Sequence, residues 1–317
     1  MNSKNEQERV SPPSRSLLRW LKFIPNGLTL CNSLCGYAAI LVTLQAYKQG
    51  SIQEIDGVMT WVSDKQGMAT IFAWSAGLIL FAMVFDMFDG FTARLLHTSS
   101  LHGIQMDSLA DMTTFGVAPA TLVAVMAHNM RHIERAGEFV PICMLCGIYL
   151  GCAALRLATY NVHAMYEKKS SDVFTGLPSP GAAAALCTII LFAATEKGSN
   201  TLREYFRYLP IYATILGFLM VSQVPYLHFG KYLASARYHK DRLLIIGLLL
   251  LAWLVSSFLV NPFLFPFLLV NIYVVWGLIA YFALKMGFVK HTHPLVPGSP
   301  QDTEQDQDTG EDGDRKP

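Results

Sequence analysis

Charge is what this chain has least of. Lys, Arg, Asp and Glu together make up 15% of its 317 residues, against roughly 25% in an ordinary soluble domain. The little charge present nearly cancels, with 24 basic side chains against 23 acidic ones and a net charge of +1. That balance argues against a nucleic-acid partner, and so low a charge argues against a disordered chain. Cysteine is scarce too: six in the whole chain are too few for a disulfide scaffold. No internal repeat stands out. What fills the sequence is apolar, with 52% hydrophobic residues and a mean hydropathy of +0.35, the composition of an integral, multi-pass membrane protein.

A hydrocarbon core takes about 20 apolar residues per helix. Eight stretches meet that need, at roughly 27–47, 69–93, 108–128, 139–160, 179–195, 208–229, 243–260 and 263–284. Only Asn261-Pro262 parts the last two, so they read as a tight helical hairpin. The first stretch lies too deep in the chain for a cleavable signal peptide. If the N-terminal tail is cytoplasmic, inside segments hold 17 of the 24 basic residues and outside segments hold 7. By the positive-inside rule this predicts both termini in the cytoplasm. The expected fold is all-α: a polytopic transmembrane helical bundle of about eight spans. It divides into a cytoplasmic segment at 1–23, a six-span core at 24–229, an additional helical pair at 230–290 and a disordered acidic tail at 291–317.

Against this scarcity of charge, residues 86–111 read DMFDGFTARLLHTSSLHGIQMDSLAD. Asp86, Asp89, Asp107 and Asp111 lie within or beside apolar runs. An aspartate at mid-span costs roughly 2.5–3.5 kcal/mol and is a functional hypothesis by default. Asp86 and Asp89 are spaced i, i+3, and Asp107 and Asp111 i, i+4, so each pair occupies one helix face. A short turn joins the two helices, which lets the pairs converge. Converging carboxylates demand cations, and an all-oxygen donor set selects Mg²⁺, Mn²⁺ or Ca²⁺ over zinc. Two such ions about 3.5–4 Å apart would suit a phosphoryl-type displacement. Gly90 and Ala93 leave room for a ligand, Arg94 offers a fork for phosphate oxygens, and Gly103 opens the next helix to close approach. A transporter's cation site would use acids in a similar way.

The spacing D-x2-D-G-x2-A-R-x8-G-x3-D-x3-D, carried by Asp86, Asp89, Gly90, Ala93, Arg94, Gly103, Asp107 and Asp111, resembles the signature of the CDP-alcohol phosphatidyltransferases. The flanking IPNGLTLCNSLCGY (24–37), TTFGVAPA (113–120), RLATYN (156–161) and FTGLPSP (174–180) are similar to the membrane-embedded CDP-diacylglycerol–serine O-phosphatidyltransferases. The resemblance covers about Ile24 to Pro180. Thr114 stands where that family usually has serine, and the hydroxyl is kept.

The resemblance implies transfer of phosphatidyl from CDP-diacylglycerol to L-serine, giving phosphatidylserine and CMP. It implies that the four aspartates hold divalent cations, Mg²⁺ or Mn²⁺, two per site, with Asp111 also the general base. It places Asn26, Thr29, Gly90, Ala93, Arg94, Gly103 and Asp107 around the CDP-lipid. It further suggests a homodimer in a bacterial inner membrane, with the active site facing the cytoplasm. For the serine carboxylate, Arg156 is the best candidate by type and depth, with Thr113, Thr114 and Asn161 as hydrogen-bonding neighbours; a snorkelling anchor is the plainer role for Arg156. Glycerol 3-phosphate or inositol phosphate would be the alternative acceptors, and a cation-coupled transporter the alternative class. Cys143-x2-Cys146 lacks a second pair and reads as packing. His97, His102, His291 and His293 read as solvated loop and tail residues. Pro178-Ser179-Pro180 reads as the entry to the fifth helix.

Overall fold

A computed structural model describes residues 23–48, 51–55, 58–62, 65–96, 101–130, 139–166, 176–195, 206, 208–224, 226, 239–259 and 261–286. The N-terminal segment, the acidic tail with His291 and His293, and His97 lie outside the described residues, as does the side chain of Arg94.

Each of the eight apolar stretches contains a helix. The elements run α1 (Phe23–Leu44), a 3₁₀ turn (Gln45–Lys48), β1 (Ser51–Ile55), β2 (Val58–Val62), α2 (Lys65–Leu95) and α3 (Leu101–Asp111). A π-helical segment (Met112–Val117) then leads into α4 (Ala118–Met130), followed by α5 (Phe139–Tyr166), α6 (Ser179–Ala193), α7 (Leu209–Val221), α8 (His239–Leu259) and α9 (Leu264–Lys285). The expected third span is thus α3, the π segment and α4 in one run. Among the described residues, five stretches are long and apolar enough to cross a membrane: Phe23–Lys48, Gln66–Ala93, His102–Asn129, Phe139–Val162 and Leu264–Ala283. Three more there are shorter apolar helices, Ser179–Ala193, Leu209–Val221 and Gly247–Leu259. A 15-residue helix is about 22 Å long, less than a hydrocarbon core of about 30 Å. Between α1 and α2 lies an antiparallel hairpin, pairing Ser51 with Val62 through Ile55 with Val58, which the hydropathy pattern does not announce.

Large apolar side chains such as Trp74, Phe81, Phe258 and Trp276 face outward, while the interior packs Phe72, Ile79, Phe115, Leu122 and Tyr149 among small and polar residues at the helix contacts. The buried face of α1 is Pro25, Thr29, Asn32, Gly36, Ala39 and Thr43, one stripe at alternating steps of four and three. Against it, Ser75 of α2 donates to the Ala39 carbonyl at 2.9 Å and lies 2.7 Å from the Thr43 hydroxyl. Helix α6 is sunk in the centre, with Ala182–Thr188 wholly buried. Its entry is set by the preceding turn. Gly176 has φ +91°, donates its N–H to the Val224 carbonyl at 2.9 Å, and has no space for a Cβ beside the Met220 and Ser222 carbonyls. Pro178 caps the helix and Pro180 occupies its first turn, where a missing N–H costs nothing.

Candidate active site

The site lies where the C-terminal third of α2, α3 and the N-terminal half of α1 meet. The i, i+3 and i, i+4 spacings put the acids on facing helix sides, and the structure brings Asp86, Asp89 and Asp107 together. Their nearest carboxylate oxygens all lie within 4.8 Å of one another. Asp89 is only 4% exposed, and its Oδ2 is buried with no hydrogen-bond partner. Among the described residues, no basic side chain makes an ion pair with these acids. An orphaned buried oxygen amid three mutually repelling carboxylates is the donor set of a hard divalent cation. The residues present therefore fit the metal that the sequence implies.

Asp111 adjoins that triplet. It is buried, lies against Asp86, and accepts a hydrogen bond on Oδ1 from Asn32 Nδ2 at 3.2 Å. Asn32, fully buried on α1, leaves its own Oδ1 without a partner. Asp111 is also the last residue of α3 before the helix widens into its π turn, where the Ala118 N–H bonds back to the Thr113 carbonyl. Such π turns concentrate at functional sites. Two contacts hold this one in place. The Thr114 hydroxyl donates to the Asn32 carbonyl at 3.0 Å, opposite Gly36, where any Cβ would lie 2.8 Å from Thr114 Cα. The fully buried Tyr149 of α5 donates to the Phe115 carbonyl at 2.8 Å. Pro119, four residues on, has no N–H to give that carbonyl.

The remaining expected residues fall in three groups. Thr29 is buried, and its hydroxyl donates to the Pro25 carbonyl at 3.0 Å and faces Asp89. Asn26 is half-buried in the first turn of α1. Gly90 and Ala93 follow the acids on α2 and are half-buried, Arg94 lies in the last turn of that helix, and Gly103 is half-buried near the start of α3. On the acceptor side, Arg156 Nη1 donates to Ser179 Oγ at 3.2 Å, its Nε is buried without a partner, and its charge is within reach of Asp111. Asn161 accepts from Ser108 Oγ at 2.8 Å and so ties α5 to α3. Thr113 and Thr114 were expected beside the acceptor. Both hydroxyls donate to backbone carbonyls, Thr113 to Leu109 one turn back in its own helical run and Thr114 to Asn32 of α1, which leaves their lone pairs to accept from a ligand. Asn32, Gly36 and Ser179 are the contributors that motif reading passes over. Asn32 and Gly36 could have been found as continuations of the Pro25–Thr29 stripe.

Residues 22–223 match the family model described as CDP-alcohol phosphatidyltransferase, and the chain belongs to that family. It is 35% identical over 168 residues to a CDP-diacylglycerol–serine O-phosphatidyltransferase of Bacillus subtilis, covering 51% of this chain and 79% of that protein. An archaetidylserine synthase of Methanothermobacter thermautotrophicus is 34% identical over 170 residues, 53% of this chain and 58% of that one. A CDP-diacylglycerol–serine O-phosphatidyltransferase of Methanocaldococcus jannaschii is 31% identical over 172 residues, 54% of this chain and 73% of that one.

Proposed function

We propose that the protein transfers phosphatidyl from CDP-diacylglycerol to L-serine, giving phosphatidylserine and CMP. The observation that carries this is the gathering of acids from facing helices: Asp86, Asp89 and Asp107 converge around an unpartnered buried oxygen, and Asp111 lies against Asp86 with Asn32 donating to it. Asp86, Asp89, Asp107 and Asp111 would hold Mg²⁺ or Mn²⁺, two ions per site. When bound, the cations supply charge neutralisation for the pyrophosphate and for the departing phosphate.

The chain's own groups do the rest. The serine hydroxyl oxygen attacks the phosphorus that bears diacylglycerol. A new O–P bond forms, the P–O bond to CMP breaks, and CMP leaves with that electron pair. Asp111 takes the hydroxyl proton; a carboxylate is a weak base for an alcohol, and serves when proton transfer is concerted with attack. Asn32 donates to one oxygen of Asp111 and so orients that carboxylate. Thr29, Asn26, Gly90, Ala93, Arg94 and Gly103 surround the CDP-lipid in this reading. Arg156 receives the serine carboxylate, and Asn161 holds α3 in register beside it. The three relatives described above all carry serine in their names, although their lipids differ, which favours serine over a phosphate-bearing acceptor.

The decisive assay follows CMP release by purified protein given CDP-diacylglycerol, Mg²⁺ or Mn²⁺, and L-serine, glycerol 3-phosphate or inositol phosphate in turn. Serine should give CMP, and a chelator should stop release until the ion is restored. Release with a phosphate-bearing acceptor alone would reassign the substrate. Binding of cations with no CMP from any acceptor would place the protein among transporters.

A further inference from the structure

Two hydrogen bonds tie α5 to the helical run that begins with α3. Ser108 Oγ donates to Asn161 Oδ1 at 2.8 Å, and the Tyr149 hydroxyl donates to the Phe115 carbonyl at 2.8 Å. Residue numbers rise along one run as they fall along the other, so the two are antiparallel. Asp111 lies between Ser108 and Phe115, and Arg156 lies between Tyr149 and Asn161. Counted from the Ser108–Asn161 bond, Asp111 is about 4.5 Å along its helix and Arg156 about 7.5 Å along the other, in the same direction. Arg156 therefore leaves α5 close to the level at which Asp111 leaves α3.

A long side chain gives up much rotamer freedom when it is held, so whatever holds it decides where its charge sits. Here Arg156 Nη1 donates to Ser179 Oγ at 3.2 Å, and the buried Nε has no partner among the described residues. Ser179 is 1% exposed and is the first residue of α6. Its backbone is pinned on both sides. The N–H of Gly176 bonds the Val224 carbonyl at 2.9 Å, that of Leu177 the Leu219 carbonyl at 3.0 Å, and that of Ala182 the Pro178 carbonyl at 3.0 Å. Pro178 and Pro180 fix φ immediately before and after it. The hydroxyl is thus a fixed acceptor at the head of a buried helix. With Nη1 engaged, the plane of the guanidinium is set, and the edge that carries Nε and Nη2 is left over. Such an edge takes a carboxylate through two parallel N–H···O bonds. A buried donor without a partner, as this Nε is, calls for an occupant.

We propose that Ser179 is a positioning residue for the acceptor, holding Arg156 Nη1 so that the Nε edge meets the carboxylate of an amino-acid acceptor. This inference rests on the proposed transfer to serine. Its test is Ser179→Ala and Ser179→Cys in the full chain, compared with wild type for kcat, the KM of L-serine and the KM of CDP-diacylglycerol. Cysteine keeps the size of the side chain and is a weak acceptor, so it reads the bond without opening a gap; should Ser179→Ala fail to fold, Ser179→Cys decides alone. Loss of a hydrogen bond to a charged group should raise the serine KM by about 10-fold, with kcat and the lipid KM unchanged. An unchanged serine KM in Ser179→Cys would overturn the inference and leave the function standing. So would a kcat that falls, or a lipid KM that rises, in step with the serine KM, because a displaced α6 disturbs the whole site. Wild-type protein that releases no CMP with serine would remove the functional reading itself, and this inference with it.

Discussion

Asp111 and Asn32 show how much one hydrogen bond decides. In the proposed mechanism Asp111 is the base, and the 3.2 Å bond from Asn32 orients its carboxylate. Asp111→Asn should lower kcat by at least about 100-fold, the lower range for a positioned general base, while binding of CDP-diacylglycerol, measured separately, persists. Near wild-type turnover would remove the base from Asp111. Gly36→Val tests the wall behind it. The added side chain collides with Thr114, and overpacking of this kind costs about 1–3 kcal/mol. Thermal unfolding in detergent should shift down, and turnover should fall because the π turn carrying Asp111 is displaced. The acids themselves were legible in the sequence, because ionised groups in an apolar phase are conspicuous and their spacing fixes a face. Asn32 was not, since a single amide in an apolar helix acquires meaning only from the helix opposite. The carbonyls that Thr113 and Thr114 donate to were hidden for a related reason: a hydroxyl's acceptor shows only once the fold is seen.

Among the elements, the π segment is the most informative. It rests on a proline that withholds an N–H and a tyrosine that replaces it. Tyr149→Phe would leave the Phe115 carbonyl buried without that donor, at a cost of about 1–3 kcal/mol. The unfolding midpoint should drop accordingly, and adding Pro119→Ala, which restores an N–H at that position, should recover part of the loss. An undiminished midpoint in Tyr149→Phe would show that the bond carries no weight. Helix positions were readable throughout, because eight apolar runs of suitable length leave little choice. Lengths were less so: α6 and α7, read as full spans, are 15 and 13 residues. The Gly176 turn with Pro178 and Pro180 sets the start of α6, and Pro210 in the first turn and the extended Ser222 bound α7, which hydropathy averages away. The β1–β2 hairpin was missed although Asp56-Gly57 joins its strands, a pair that favours a tight two-residue turn; the search for apolar runs does not look for it.

At the scale of the molecule, the chain is a helical bundle with an apolar core and many large apolar side chains facing outward as well. Its site lies at one end of α2, with Asp89 six residues before Leu95 at the helix end, a depth of about 9 Å. With a lipid substrate, that placement has a kinetic consequence. CDP-diacylglycerol arrives by lateral diffusion within the leaflet, so the quantity the enzyme senses is number per unit area, in two dimensions. Diluting the substrate with inert phospholipid, at constant total amount in the tube, should lower the rate roughly in proportion to its mole fraction, while the dependence on serine stays volumetric. Vesicle or mixed-micelle assays at varied mole fraction would show this directly, and a rate that tracked bulk concentration alone would contradict it. Membrane composition would then act as a throttle on the reaction, with no regulatory site required.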